Sequence, residues 1–117
     1  MQKQEYKTVR DIAEIEKYFG AADVISFDFE TSATDDYRDD DKAALDAHKS
    51  EITGVSFSVE PGTGIYVPFR HRVGENANPQ LMMAYLKSRV FQNTGIVKIA
   101  HNMAFEAMFL YKDELFL

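Results

Sequence analysis

Residues Val24 to Ser32 read VISFDFETS. The run has the aromatic and β-branched content of a buried strand, yet it carries Asp28 and Glu30. Strand side chains alternate faces, so Ile25, Phe27 and Phe29 point one way and both carboxylates the other. Two like charges side by side repel, and a sheet interior offers little water to screen them. Any fold for this chain has to pack one face of the strand on a core and compensate the charges on the other.

Bulk properties narrow the classes. The chain has 117 residues, 45% of them hydrophobic, with nine Phe and six Tyr, which is enough for one domain with a modest core. Residues 1–117 are therefore read as a single domain. No apolar run approaches the roughly 18 residues of a membrane span, so no membrane association is expected. The opening MQKQEYKTVR lacks the apolar core of a signal peptide, and the expected location is cytoplasmic. The absence of Cys excludes disulfides, a thiol nucleophile and thiolate metal sites. A net charge of -6 argues against a dedicated nucleic-acid coat. It leaves a nucleic-acid enzyme open, because a site for divalent metals must itself be acidic. From Ala33 to Glu51 there are seven acids and three bases. The Asp-rich run Asp35–Asp41 within it offers no EF-hand register and reads as a solvated loop, with a short helix around Ala43 to His48.

Along the chain, Val9, Ile12, Ile15, Tyr18 and Phe19 recur at helical spacing, which predicts a helix from Thr8 to Phe19 stopped by Gly20. The Val24 strand follows. ITGVSFSVE, the turn PGTG and IYVPFRH predict a hairpin of two strands, with Pro68 marking an edge or bulge. Asn78 and Pro79 open a helix with Leu81, Met82, Tyr85, Leu86 and Val90 as its apolar stripe. GIVKIA is a short buried strand, and HNMAFEAMFLYK a last helix with Phe105, Met108 and Phe109 toward the core. A hairpin followed by a helical crossover predicts an α/β domain with a mixed sheet.

Asn102 and Glu106 are four apart on that last helix and share a face. If GIVKIA lies beside the Val24 strand, Glu106 approaches Asp28 and Glu30. Three converging carboxylates call for a cation, and with Mg²⁺ or Mn²⁺ they form a hard-ligand site suited to phosphoryl chemistry. Plainer readings stand beside this one. Asp28 and Glu30 can sit at a solvated strand end, Asn102 can be an N-cap, and Glu106 a first-turn acid favoured by the helix dipole. His48, His71 and His101 are scattered and make no zinc motif. Arg70 and Arg72 are candidate phosphate contacts or simply a charged strand end.

FDFETS resembles the Asp-x-Glu motif of the DEDD 3′–5′ exonucleases. IAHNMAFEAMFL resembles their second motif, and ITGVSFSVEPGTGIYVPFRH is similar to the strand pair of DNA polymerase I-like, family A polymerases of bacteria and phages. The resemblance covers Val24 to Tyr111. It implies a ribonuclease H-like mixed sheet flanked by helices, and a proofreading activity that releases nucleoside 5′-monophosphates from a single-stranded DNA 3′ end. It further implies two divalent ions, Mg²⁺ or Mn²⁺, with Asp28, Glu30 and Glu106 as catalytic metal ligands. Thr31 and Asn102 would contact the terminal nucleotide, and a polymerase domain would belong to the natural chain.

Two positions depart from the family pattern. Glu106 stands where the family has Asp, and no Tyr-x-x-x-Asp or His-x-x-x-x-Asp third motif follows, Tyr111 and Asp113 having the wrong spacing. The expectation is thus the N-terminal part of an exonuclease domain, with dimerisation through an uncovered surface as a further expectation. The rival is a non-catalytic scaffold or single-stranded DNA-binding module, and a third reading keeps the chemistry on RNA.

Overall fold

The computed structural model describes residues 5–40 and 42–115. Its centre is a mixed sheet in the order β1-β4-β3-β2-β5. The strands are β1 (Glu5–Thr8), β2 (Val24–Ala33), β3 (Ser50–Ser58), β4 (Thr63–Pro68) and β5 (Val97–Ala100). The predicted hairpin is β3–β4, antiparallel, with Phe57 opposite Ile65. β2 runs antiparallel to β3 and parallel to β5, and β1 runs parallel to β4.

Helix α1 (Ile12–Phe19) starts where the Asp11 side chain accepts the Ala13 N–H at 2.7 Å, and it ends at Gly20, whose φ of 53° suits a residue without a Cβ. The expected helix from Thr8 is therefore too long. Thr8 closes β1, a strand the sequence reading missed, and Val9 is buried ahead of the helix rather than on it. Helix α2 (Pro79–Leu86) has the expected Asn78 cap and Pro79 in its first turn, and continues as a π-helical turn over Lys87–Phe91. Leu81 faces solvent instead of joining the stripe. Helix α3 (Met103–Lys112) buries Phe109 and Leu110, while Met108 is exposed.

Three helices cover one face of the sheet. Phe27 and Phe57 are directly paired across β2 and β3, so they share that face with Phe29. Phe19 from α1 meets Phe57 edge-on at 5.2 Å, Phe91 meets Phe27 at 5.2 Å, and Phe109 from α3 meets Phe29 at 6.5 Å. Such edge-to-face contacts align the positive ring edge with a negative face. Ile25, Val55, Ile65 and Val67 complete one continuous core.

The opposite face carries Ser26, Asp28 and Glu30 from β2, and Ser56 and Tyr66 from their neighbours. It forms an open depression of about 560 Å³ between Tyr6, Asp28, Tyr66, Ile99 and His101. β5 is an edge strand among the described residues, with Val97 and Ile99 exposed, so the expectation that it is buried fails. Pro68 sits at the end of β4, beyond the last β1 pair at Tyr66, where a missing N–H breaks no ladder bond. The acidic segment is two 3₁₀ turns, Asp35–Tyr37 and Ala43–Leu45. Asp41 lies outside the described residues. No helix is long and apolar enough to cross a membrane among the described residues.

Candidate active site

β5 pairs with β2 only as far as Ala100 opposite Phe27. Beyond that point the edge of β2 would be open, and the start of α3 fills the gap. Asn102 caps α3 by accepting the Phe105 N–H at 3.2 Å through Oδ1. Glu106, one turn on, returns its carboxylate to the Asn102 N–H at 3.0 Å through Oε2. Its other oxygen, Oε1, accepts the Phe29 N–H at 3.3 Å. One carboxylate thus closes the helix start and substitutes for the missing strand partner.

Glu106 is fully buried. Burial pushes its carboxyl above the usual range, the N–H groups of Asn102 and Phe29 pull the other way, and the adjacent Asp28 carboxyl pushes it up again. Asp28 and Glu106 are therefore close neighbours, as the sequence pattern anticipated. Asp28 itself is exposed on the open face.

Glu30 does not join them. It lies on the same face of β2 as Asp28 but reaches toward β4, where the Tyr66 hydroxyl donates to Oε2 at 2.5 Å. His71 Nε2 lies 2.5 Å from that hydroxyl and 3.7 Å from the same Glu30 oxygen. Burial, and then the Glu30 carboxylate, push the Tyr66 phenol above its ordinary range, so the hydroxyl keeps its proton. Among the described residues no three His, Asp or Glu side chains gather as a cage for an ion. Asp28, Glu106 and Glu30 are held as a pair and a separate third carboxylate.

Thr31 follows a shift in the β2–β3 register between Glu30 and Thr31, and is half-buried. Asn102 has its cap role, which is compatible with a second one. The arginines are engaged. Arg70 donates to the Ile52 carbonyl at 3.1 Å and lies over the Phe69 ring, and Arg72 donates to the Ala33 carbonyl and to Asp35. His101 is exposed at the rim of the depression.

Sequence reasoning missed Tyr66, His71 and Gly54. A signal existed at Gly54, since a glycine inside a strand often marks a close approach of another group. A Cβ there would sit 2.1 Å from the Tyr66 hydroxyl oxygen.

A 3′-5′ exonuclease family model, that of family A DNA polymerases, matches residues 4–116. A DNA-directed DNA polymerase of Pseudomonas phage M6 is 38% identical over 64 residues, which is 55% of this chain and 10% of the phage protein. Among solved structures, the EXO domain of Aedes aegypti Nibbler superimposes with a TM-score of 0.59 at 14% identity, covering 95% of this chain and 45% of that one. Brucella melitensis NrnC bound to pGG does so with a TM-score of 0.52 at 17% identity, covering 95% of this chain and 44% of that one. The chain thus spans a tenth of the phage polymerase and under half of the solved exonucleases, and at these identities the structures speak for the fold alone. On the family match, which takes in nearly every residue, the chain belongs to the 3′-5′ exonuclease domain family of the family A DNA polymerases.

Proposed function

We propose that this domain hydrolyses the 3′-terminal phosphodiester of single-stranded DNA in the context of a DNA polymerase, with Asp28, Glu30 and Glu106 as its working carboxylates. The observation that carries the reading is the Asp28–Glu106 pair where α3 meets the edge of β2, with the Glu106 carboxyl raised first by burial and further by Asp28. A buried carboxyl perturbed by burial and by a like-charged neighbour marks a candidate functional site. The pair fits a hard divalent ion such as Mg²⁺ or Mn²⁺, since it offers oxygen donors only and a repulsion that a cation would relieve.

Asp28 and Glu106 would hold such an ion, with Glu30 contributing from the same sheet face. Bound there, divalent ions supply charge stabilisation for the phosphate and a more acidic water. The chain's own part is to place that chemistry. The N–H groups of Phe29 and Asn102 hold Glu106 still, and β2 keeps Asp28 and Glu30 on one side. In the reaction, water oxygen bonds to phosphorus, the bond from phosphorus to the 3′ oxygen of the penultimate nucleotide breaks, and that oxygen takes a proton. Thr31, just past Glu30, and Asn102 at the helix start flank the acids and are assigned to the terminal nucleotide. The open depression, with Tyr6 and Tyr66 on it, offers rings for base stacking.

The separation of Glu30 from the acid pair favours a second reading, in which the domain is a scaffold or a single-stranded DNA binder without catalysis. One experiment separates them. A 5′-labelled single-stranded DNA is incubated with the chain and Mn²⁺, beside an EDTA control and an Asp28→Ala/Glu30→Ala double variant. Stepwise shortening that needs metal and is lost in the variant supports the nuclease. Intact DNA with folded protein supports the scaffold.

A further inference from the structure

We propose that Tyr66 is a positioning residue for Glu30, fixing Oε2 so that Oε1 is left as the ligand atom for a divalent ion. This rests on the metal reading of the site given above. Glu30 is 63% exposed in its side chain, and a free glutamate at such a place samples many rotamers. Here it does not hang free, because Tyr66 donates to Oε2.

The arrangement behind that bond is built from three elements. A tyrosine hydroxyl has one proton, and it goes to Glu30. The contact at 2.5 Å with His71 is then donated by His71 Nε2–H. The His71 ring stands edge-on to Tyr66 at 5.7 Å between centroids. Its backbone is gripped on both sides by Asn76, which accepts the His71 N–H at 2.8 Å and donates to the His71 carbonyl at 2.9 Å. A chain of donors therefore runs from a pinned loop, through β4, to the carboxylate on β2.

Gly54 makes the crossing possible. It lies opposite Glu30 in the β2–β3 ladder, and Tyr66 has to pass over it. Any Cβ at Gly54 would meet the hydroxyl at 2.1 Å and the ring carbon that bears it at 2.5 Å. Glycine weakens a strand interior, and this contact is the reason one stands here. Oε1 of Glu30 accepts no hydrogen bond from the described residues, so the atom left over is a hard oxygen on the same face as Asp28.

The test is Mn²⁺ binding to the full chain, followed by the electron paramagnetic resonance signal of free Mn²⁺. Tyr66→Phe keeps the ring and removes the donor. Loss of a group that orients a ligand costs about tenfold or more in metal affinity, and that is the loss expected, with the melting temperature nearly unchanged. Glu30→Gln should weaken binding too, and adding Tyr66→Phe to it should cost nothing further, because the hydroxyl acts only through Glu30. Gly54→Ala should reproduce the Tyr66→Phe loss where it folds. Affinity unchanged or raised in Tyr66→Phe, or losses that add in the double variant, would overturn the assignment while leaving the metal reading intact. A wild-type chain that binds no Mn²⁺ would overturn the metal reading, and the role of Tyr66 with it.

Discussion

Glu106 accepts the buried N–H of Phe29 at 3.3 Å, joining α3 to the edge of β2 just past the last residue paired with β5. The contact makes Glu106 structural as well as chemical. Glu106→Ala would leave that N–H without a partner inside the core, at a cost of about 1–3 kcal/mol. Glu106→Gln keeps an acceptor and should cost less. Urea unfolding of the two variants checks this, and equal stabilities would mean that water reaches the Phe29 N–H.

The raised carboxyl of Glu106 gives a pH dependence with a definite sign. Its folded value lies above its ordinary one, 4.5, so the folded chain holds the proton more firmly than the unfolded chain does. The stability from this group is complete below about pH 4.5 and is lost as pH rises through the folded value. Wild type compared with Glu106→Gln should therefore lose ground with rising pH above that point. Mn²⁺ should flatten the slope, because a cation stabilises the ionised pair. Melting curves at several pH values, with and without the ion, read both effects.

The alternation in VISFDFETS was enough to place Phe27, Phe29, Asp28 and Glu30 on their correct faces, because strand periodicity depends on nothing outside the strand. The hairpin and the Asn78 and Asn102 caps were legible for the same reason, as their signals are local. β1 was not. Glu5–Thr8 has four exposed residues and owes its extended form to pairing with β4, some 58 residues away in the Glu5–Thr63 register. The approach of Glu106 to Asp28 followed from placing β5 beside β2. The diversion of Glu30 did not, because it depends on Tyr66 crossing a glycine on the strand between them. Long-range side-chain geometry of that kind leaves only the glycine as a trace in sequence.

Phe91 ties three strand positions of the core together. It ends the π-helical turn, is 2% exposed, and touches Phe27 at 5.2 Å, Phe29 at 5.7 Å and Phe57 at 6.3 Å. Phe91→Ala removes the ring that links three strand positions and should destabilise by about 3–5 kcal/mol. Because Phe29 also carries the N–H that holds Glu106, the loss should extend to the site. Mn²⁺ affinity at a temperature where the variant is still folded would report it, and unchanged affinity would show that β2 holds its place without the ring.

Asn102 combines a cap with a place beside the acids, and two substitutions separate the roles. Asn102→Ala removes the acceptor for the Phe105 N–H and should cost about 1 kcal/mol. Asn102→Asp restores an oxygen acceptor at a helix N-terminus, where negative charge is favoured, so stability should return to within a few tenths of a kcal/mol. The substitution also replaces the amide's donor group with a charged acceptor. If the amide donates to the terminal nucleotide, the aspartate variant should melt like wild type yet need a higher DNA concentration for half-maximal exonuclease rate. Wild-type kinetics in that variant would confine Asn102 to capping α3.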